Sequence, residues 1–332
     1  MDNNIVACSR CFHDIGLRKE AEKIGIKVNS VCPECGSQKG MKLTKEQLIE
    51  LCEQYFGEGS YIKTEFGGSN YLTVCESSTS DDIKCYDALK RDIKLLSSAF
   101  NIGIFYYGPQ EWKICRNDWM DDLVSTNNEE RECAVEKVAK RCFTKVLKTS
   151  NRFYRIRTNL KSDFTSPISY DAPPIQKLEY GRMNLEGNTV LYAAFNVETC
   201  IHETRVAIDD EIYIATLNTT KELKFLDFCR IKTSKKEPTP FEQLGLAMNQ
   251  IFLAGTQSYN ITQAFSKYAY EHGYDGVIYP SYFNSVRGKK FRNIVIFGHP
   301  IKEGKVKVTS IDRINLTKVK YDFTFGPVTK KD

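Results

Sequence analysis

Features that would place this chain in a membrane or outside the cell are missing. It contains no run of about 18 apolar residues, the length that a membrane-spanning helix needs. Its N-terminus, MDNNIVACSRC, has neither the basic start nor the apolar stretch of a secretory signal peptide. We therefore expect a cytoplasmic protein with no membrane partner.

The motifs of several large enzyme classes are missing as well. No G-x-G-x-x-G follows a predicted strand, no G-x-x-x-x-G-K-[ST] is present, and His202-Glu203 has no second histidine at metalloprotease spacing. These absences argue against dinucleotide-binding dehydrogenases, kinases, P-loop NTPases and zinc hydrolases.

A strong excess of basic charge is also missing. The formal net charge is only +5 over 332 residues and the basic residues are dispersed, so we do not expect nucleic acid as a partner. The densest basic tract comprises Arg287, Lys289, Lys290 and Arg292. It is typical of a solvated loop, and a phosphate or nucleic-acid contact is the alternative interpretation.

Cysteine, in contrast, is plentiful. In a reducing compartment, 12 cysteines indicate metal ligands and buried thiols rather than disulfides. Four of them form two Cys-x-x-Cys pairs, Cys8 with Cys11 and Cys32 with Cys35, which 20 residues separate. This spacing is typical of zinc bound by four thiolates, an arrangement that leaves no open coordination position. The pattern predicts a zinc ribbon over residues 1–40, and we favour a structural staple over a docking surface for nucleic acid or protein.

Residues 41–150 have the apolar spacing of helices. Thr44 and Gln47 match the capping-box pattern that opens a helix. Apolar residues recur at steps of three and four over 86–100 and again over 129–148, which predicts two further helices. We therefore expect a mainly helical domain after the ribbon.

Residues 151–332 alternate short apolar strands with helices. Strands are predicted at 189–195, 211–217, 276–279 and 293–297, and helices at 197–207 and 261–273. Because the alternation has no regular βαβ spacing, the expected fold class is α+β rather than a doubly wound sheet. This region is the third expected domain.

Four polar residues at the edges of these elements are candidates for a site that binds a phosphorylated sugar. Arg155 and Arg182 can each present a guanidinium fork to a phosphate. Glu203 lies in a predicted helix, and Ser281 follows a predicted strand. Taken singly, each has an ordinary interpretation: a surface charge for either arginine, a salt bridge for Glu203 and a turn residue for Ser281.

The order of five short motifs resembles the RES family, which is named for an arginine, a glutamate and a serine. The motifs are Tyr154-Arg155, Gly181-Arg182-Met183-Asn184, Leu191-Tyr192-Ala193, Ile201-His202-Glu203 and Tyr279-Pro280-Ser281. The resemblance implies a mixed α/β domain related to ADP-ribosyltransferase toxins over residues 151–332. The Cys-x-x-Cys and helical segments resemble the N-terminal extension of some longer members.

The resemblance also implies a reaction. The best-characterised RES proteins are NAD phosphorylases, which use inorganic phosphate to release nicotinamide and yield ADP-ribose 1″-phosphate, and they are toxins restrained by an antitoxin. By position, Glu203, Arg155, Arg182 and Ser281 are implied to be catalytic, and Tyr192, Arg155, Arg182 and Ser281 to contact NAD. We therefore expect an NAD-degrading enzyme of the glycosyltransferase class, acting as a growth-inhibiting toxin or phage-defence effector with an antitoxin or another regulatory partner.

The chemistry supports the same assignment for the carboxylate. Breaking the bond between nicotinamide and ribose passes through an oxocarbenium-like state, which a carboxylate at the ribose stabilises. Glu203 is the candidate for this carboxylate. Nicotinamide leaves as a neutral base, so the reaction needs no strong general acid and no catalytic histidine.

Two other functions stay open at this point, as does oligomerisation of the chain. An ADP-ribosyltransferase would use the same NAD site but pass the sugar to a protein or nucleic acid. A non-enzymatic protein would instead bind its partner through the zinc ribbon and the helical region.

Overall fold

Two compact units make up the chain in a computed structural model. The structure describes residues 4–64, 67–70, 72–75, 83–99, 103–106, 122–161, 163–175, 181–185, 187–232, 248, 251–252, 259–281, 291–320 and 323–330. The ribbon unit comprises Met1–Ile62, Ser69–Pro109 and Tyr321–Asp332, and the sheet unit comprises Lys63–Gly68 and Gln110–Lys320. Across these described residues, no helix has the length and apolar character that crossing a membrane requires.

The first part of the chain forms short strands and amphipathic helices. In chain order they are β1 (Ile5–Cys8), α1 (Ile15–Ile24), β2 (Lys42–Thr44), α2 (Lys45–Cys52), β3 (Tyr61–Thr64), β4 (Gly67–Asn70), β5 (Leu72–Cys75), β6 (Lys84–Cys85), α3 (Asp87–Ala99) and β7 (Gly103–Tyr106). β1 pairs with β2 and β5 pairs with β7, both antiparallel. The predicted capping box is confirmed, because the Gln47 amide N–H donates to Thr44 Oγ1 at 3.3 Å and the Thr44 amide N–H donates to Gln47 Oε1 at 3.0 Å.

One hydrophobic core holds the ribbon unit together. Phe12, Leu17, Leu48, Phe56 and Leu96 are fully buried in it. Burial of side chains of this size contributes about 1.5–3 kcal/mol each. Cys8, Cys11 and Cys32 belong to the same cluster, so the cysteine-bearing segment is part of this core.

A buried carboxylate on α3 fixes the start of α1. Asp92 is fully buried, and its carboxylate accepts the backbone N–H groups of His13, at 2.9 Å, and Asp14, at 2.8 Å. Buried carboxylates require such donors because desolvation of an unpaired charge is costly. The contact joins α3 to the chain just after the first cysteine pair.

The sheet unit is organised around one eight-stranded sheet. Its elements are α4 (Asn128–Arg141), β8 (Cys142–Leu147), β9 (Arg152–Thr158), β10 (Val190–Ala194), α5 (Val197–Thr204), β11 (Ile212–Thr219), β12 (Leu223–Ile231), α6 (Tyr259–Glu271), β13 (Gly276–Pro280), β14 (Arg292–Phe297) and β15 (Val306–Ile314). The strand order is β15-β11-β9-β10-β14-β13-β12-β8, and β12 and β13 are parallel whereas the other neighbours are antiparallel. This mixed α/β sheet confirms the predicted fold class.

Both faces of the sheet are covered. α4 and α6 pack on one face against residues such as Val277, Val295 and Phe297. Ile296, which alternates with Val295 and Phe297 along β14, and its cross-strand partner Leu191 belong to a second cluster on the opposite face. The shorter helix α5 packs against β9, β10 and β11 on the α4/α6 face.

One predicted helix is only partly correct. Residues 129–148 were expected to be helical throughout, but α4 ends at Arg141 and Cys142–Leu147 is the edge strand β8. Val146, which the helical spacing places in the core, is 41% exposed. The physical reason is tertiary: pairing with β12 supplies this segment with backbone hydrogen bonds, which local apolar spacing does not reveal.

The chain returns to the ribbon unit near its C-terminus. The Phe325 amide N–H donates to Glu20 Oε1 of α1 at 3.0 Å, and β16 (Thr329–Lys330) pairs with β6. Gly326 lies against Gly59 so closely that a Cβ on Gly326 would come within 2.0 Å of the Gly59 carbonyl oxygen. Residues 323–330 are therefore an integral part of the ribbon unit.

Candidate functional site

Glu203 is held at the end of a short helix. Asn196 caps the start of α5, where its Oδ1 accepts the Thr199 amide N–H at 2.7 Å. The helix ends at Arg205, which adopts the left-handed conformation with φ of 52°. Glu203 therefore lies in the last turn, and its side chain is half-buried.

The Glu203 carboxylate meets two hydrogen-bond donors from the central strands. Oε1 accepts the Asn293 Nδ2 amide at 2.7 Å and also accepts the Ser281 hydroxyl. Ser281 follows β13 directly and is fully buried, and Asn293 is the second residue of β14 and only 4% exposed. Two predicted site residues, Glu203 and Ser281, are thus brought into direct contact.

The predicted tyrosine borders the same region through its hydroxyl group. Tyr192 on β10 donates its hydroxyl to Asn184 Oδ1 at 3.0 Å and accepts the Met183 amide N–H at 2.9 Å. A side chain at Gly181 would place its Cβ 2.7 Å from the Tyr192 hydroxyl oxygen, so only glycine allows this approach. Burial raises the pKa of Tyr192, and the phenol stays neutral. The contacts fix the 181–185 segment against the sheet.

Arg182 is positioned by the first turn of α6. Its guanidinium carbon lies 5.0 Å from the centre of the Tyr259 ring, within cation–π range. Its carbonyl oxygen accepts the Thr262 hydroxyl at 2.6 Å. Burial raises the pKa of Tyr279, with smaller contributions in the same direction from Tyr192 and Glu203, and Arg182 opposes the shift. Tyr192, Glu203 and Arg182 therefore all act electrostatically on Tyr279.

The side chain of Arg155 leaves its strand on the other face of the sheet. Its neighbour in β9, Phe153, and its cross-strand partner, Ala215, both belong to the cluster on the other face of the sheet. Arg155 is 5% exposed, and its guanidinium donates to two main-chain carbonyls, that of Tyr192 at 2.6 Å and that of Asp171 at 3.3 Å. Among the described residues its Nε has no hydrogen-bond partner.

The charge of Arg155 is poorly solvated. Burial lowers its pKa, and the neighbouring Arg157 lowers it further, whereas Asp171 opposes the shift. Arg157 also donates to the Asp171 carbonyl, at 3.0 Å. The structure thus brings Glu203, Ser281, Tyr192 and Arg182 to one side of the sheet and anchors Arg155 to backbone carbonyls on the other.

Sequence reasoning missed Asn293 and Tyr259. Asn293 belongs to the predicted strand 293–297 and has no predicted role in the site, yet a lone amide beside Ile294, Val295 and Ile296 is itself a signal, because buried polar groups are retained where they have a partner. Tyr259 gave no signal in the sequence, since its contact with Arg182 depends on how α6 packs. Of the basic tract, Arg292 begins β14, and Arg287, Lys289 and Lys290 lie outside the described residues.

The four predicted metal ligands converge in the ribbon unit. The sulfur atoms of Cys8, Cys11, Cys32 and Cys35 all lie within 4.8 Å of one another. The distance between sulfur atoms is 3.9 Å for Cys8 and Cys11 and 3.6 Å both for Cys8 and Cys35 and for Cys11 and Cys32. A tetrahedral zinc with Zn–S bonds of about 2.3 Å requires sulfur atoms about 3.8 Å apart. The cluster therefore has the donors and the size that a metal ion needs.

Residues 152–317, half of the chain, match the family model described as "RES domain". No curated protein matches the sequence. Among solved structures, the M. tuberculosis MbcT–MbcA toxin–antitoxin complex contains a chain with 14% sequence identity and a TM-score of 0.32, and the match covers 55% of this chain and 91% of that one.

Proposed function

This chain belongs to the RES domain family, and we propose on that basis that its sheet unit is an enzyme that cleaves the bond between nicotinamide and ribose in NAD. The observation that carries the proposal is the Glu203 carboxylate, which Asn293 and Ser281 hold on the same side of the sheet as Tyr192 and Arg182. A fixed carboxylate on the same side of the sheet as a guanidinium suits a substrate that develops positive charge on a ribose and carries negative charge on its phosphates.

The proposed reaction is phosphorolysis. The C–N bond to nicotinamide breaks and its electron pair leaves with the ring nitrogen, which becomes neutral. An oxygen of inorganic phosphate forms the new bond to the ribose carbon, which yields ADP-ribose 1″-phosphate. Glu203 stabilises the positive charge that the ribose carries between these two events.

Three further residues contact the phosphate groups and the ribose in this proposal. Arg182 contacts the pyrophosphate or the attacking phosphate, Tyr192 borders the nicotinamide ribose, and Ser281 contacts the phosphate or a ribose hydroxyl. Both Nη atoms of Arg155 already bind main-chain carbonyls. A guanidinium has five N–H donors and these two hydrogen bonds use two of them, so donors remain for a phosphate, including Nε, which has no hydrogen-bond partner among the described residues.

We also propose that the four-cysteine cluster holds a structural zinc ion. Four thiolates would complete the coordination of zinc, so the ion would stabilise the ribbon unit without activating water or substrate. Burial raises the pKa of Cys11, which disfavours its thiolate unless a cation compensates the charge.

In a cell, an enzyme that consumes NAD stops growth, so we propose a role as a toxin or defence effector. Such an activity calls for restraint, and a cytoplasmic antitoxin or another regulatory protein is the partner that we propose.

The test is incubation of the purified full-length protein with NAD, with and without inorganic phosphate. Nicotinamide release that requires phosphate, together with ADP-ribose 1″-phosphate, supports the phosphorylase. Release that yields free ADP-ribose without phosphate indicates hydrolysis, and label transfer from NAD to protein or nucleic acid indicates a transferase. A folded protein that neither binds nor cleaves NAD contradicts the proposal.

A further inference from the structure

We infer that Asn293 is the positioning residue that orients the Glu203 carboxylate for NAD cleavage. The inference rests on the proposed function and assigns a role to a residue that is not among the predicted site residues. Asn293 affects the reaction through its hydrogen bond to Glu203 and does not touch the substrate.

The backbone of Asn293 is held on both sides. β14 lies between β10 and β13 in the sheet, and Asn293 pairs with Ala194 of β10 and with Tyr279 of β13. A residue with both backbone neighbours fixed has little freedom to move its side chain, and at 4% exposure it has no alternative contact with bulk water. The Nδ2 group is therefore presented to Glu203 at a defined point, 2.7 Å from Oε1.

The carboxylate needs such a donor because its own torsion is soft. The last torsion of a glutamate joins sp³ and sp² carbons and has a broad energy minimum, so packing alone does not fix the plane of the carboxylate. Asn293, in β14, and Ser281, directly after β13, approach the same oxygen, Oε1. Two donors on one oxygen define both its position and the plane of the group.

The type of residue also matters. An amide donates a hydrogen bond but carries no charge and does not titrate, so it holds the carboxylate without neutralising it. The other residues of β14 after Asn293, Ile294 to Phe297, are apolar and buried, and the sheet is complete without a polar side chain. The stability of β14 therefore does not explain why an amide side chain occupies position 293, whereas the contact with Glu203 does.

The experiment compares steady-state NAD cleavage by full-length wild type, Asn293→Leu and Asn293→Asp. Leucine has a similar volume and no donor. We expect kcat to fall about tenfold to a hundredfold, the range for loss of one hydrogen bond to a charged group, while KM for NAD stays within about twofold. Asn218→Ala, which removes an amide from β11 of the same sheet, is the matched control and should behave as wild type.

Asn293→Asp supplies a readout that a purely structural role would not move. Two carboxyl groups at this distance share a proton at low pH, and the protonated aspartic acid can again donate to Glu203. Activity of Asn293→Asp relative to wild type should therefore rise as the pH is lowered. Circular dichroism and melting temperature establish that the variants are folded, and if the leucine variant is not, the aspartate variant carries the test.

The outcomes separate this inference from the proposed function. Wild type that cleaves NAD, together with folded variants that keep wild-type kcat at every pH, overturns the role of Asn293 and leaves the proposed function standing. Variants whose KM rises while kcat is unchanged also overturn it, because Asn293 would then bind substrate. Wild type that does not cleave NAD overturns both.

Discussion

The proposed chemistry depends more on Glu203 than on any other single residue. We expect Glu203→Gln to lower the rate of nicotinamide release by two orders of magnitude or more, about 3 kcal/mol of transition-state stabilisation, because glutamine keeps the shape but removes the charge. Glu198→Gln is the matched control, since Glu198 is an exposed carboxylate on the same helix. Equal turnover by a folded Glu203→Gln variant and wild type would exclude the assigned role.

The two arginines should respond differently to the same substitution. Arg182→Lys removes the planar group that stacks on Tyr259, so KM for NAD should rise with little change in melting temperature. Arg155→Lys replaces a fork that spans two main-chain carbonyls with a single ammonium, so it should lower both the melting temperature and activity. The measurements are kinetics and thermal unfolding side by side. If Arg155→Lys preserves both quantities, neither its structural nor its catalytic role holds.

One buried carboxyl group outside the site predicts a pH dependence of stability. Burial raises the pKa of Asp227 above its ordinary value of 3.8. The folded state therefore holds this proton to higher pH than the unfolded chain does, and the contribution to stability is lost as the pH rises through the folded-state pKa. Asp227→Asn should stabilise the protein at neutral pH, and the difference should shrink toward pH values below 3.8. Denaturant unfolding at the two pH values measures it, and equal stabilisation at both would contradict the assignment.

Among the secondary structure elements, the features that depend on nearby residues could be predicted from local sequence patterns. The capping box at Thr44 is present because it joins residues three positions apart, and the strand at Arg292–Phe297 could be predicted from its own continuous apolar run. The helix predicted over 129–148 is wrong in its last part, since the conformation of β8 depends on pairing with β12, about 80 residues later in the sequence.

The same distinction applies to the site. Glu203 and Ser281 could be singled out by their motifs, but their contact joins residues 78 positions apart, and the contact of Asn293 with Glu203 spans 90 positions. The side of the sheet on which Arg155 lies follows from the register of β9 with β11. No spacing rule over a single segment gives such relations, because they depend on the order of strands in the sheet.

For the whole molecule, the metal should support folding of one unit and leave the chemistry of the other intact. We expect one zinc ion per chain. Replacing Cys32 and Cys35 together by serine should abolish metal binding and destabilise the ribbon unit, while nicotinamide release per folded sheet unit persists. Metal analysis, unfolding curves and NAD cleavage on the same preparations test this.

Two results would contradict that division of roles: native protein without bound zinc, or NAD cleavage that depends on added zinc. A fragment made to separate the units should begin ahead of α4, at Asn128 or earlier. α4 contributes buried residues such as Val135 and Val138 to the core beneath the sheet, and β8 is one of its strands. The expected division at 1–40, 41–150 and 151–332 stays a prediction about domains, and this fragment is one way to test it.

The close approach of Gly326 to Gly59 has a consequence for protein synthesis. A ribosome adds about 5–20 residues each second, so roughly ten seconds or more separate the translation of these two glycines. Residues 110–320 of the sheet unit are made in that interval, and β16 reaches its partner β6 only afterwards. Translation of the ribbon unit therefore begins before that of most of the sheet unit and ends after it. A chain whose translation stops after residue 317 carries the complete RES match, but it lacks the segment that closes the ribbon unit.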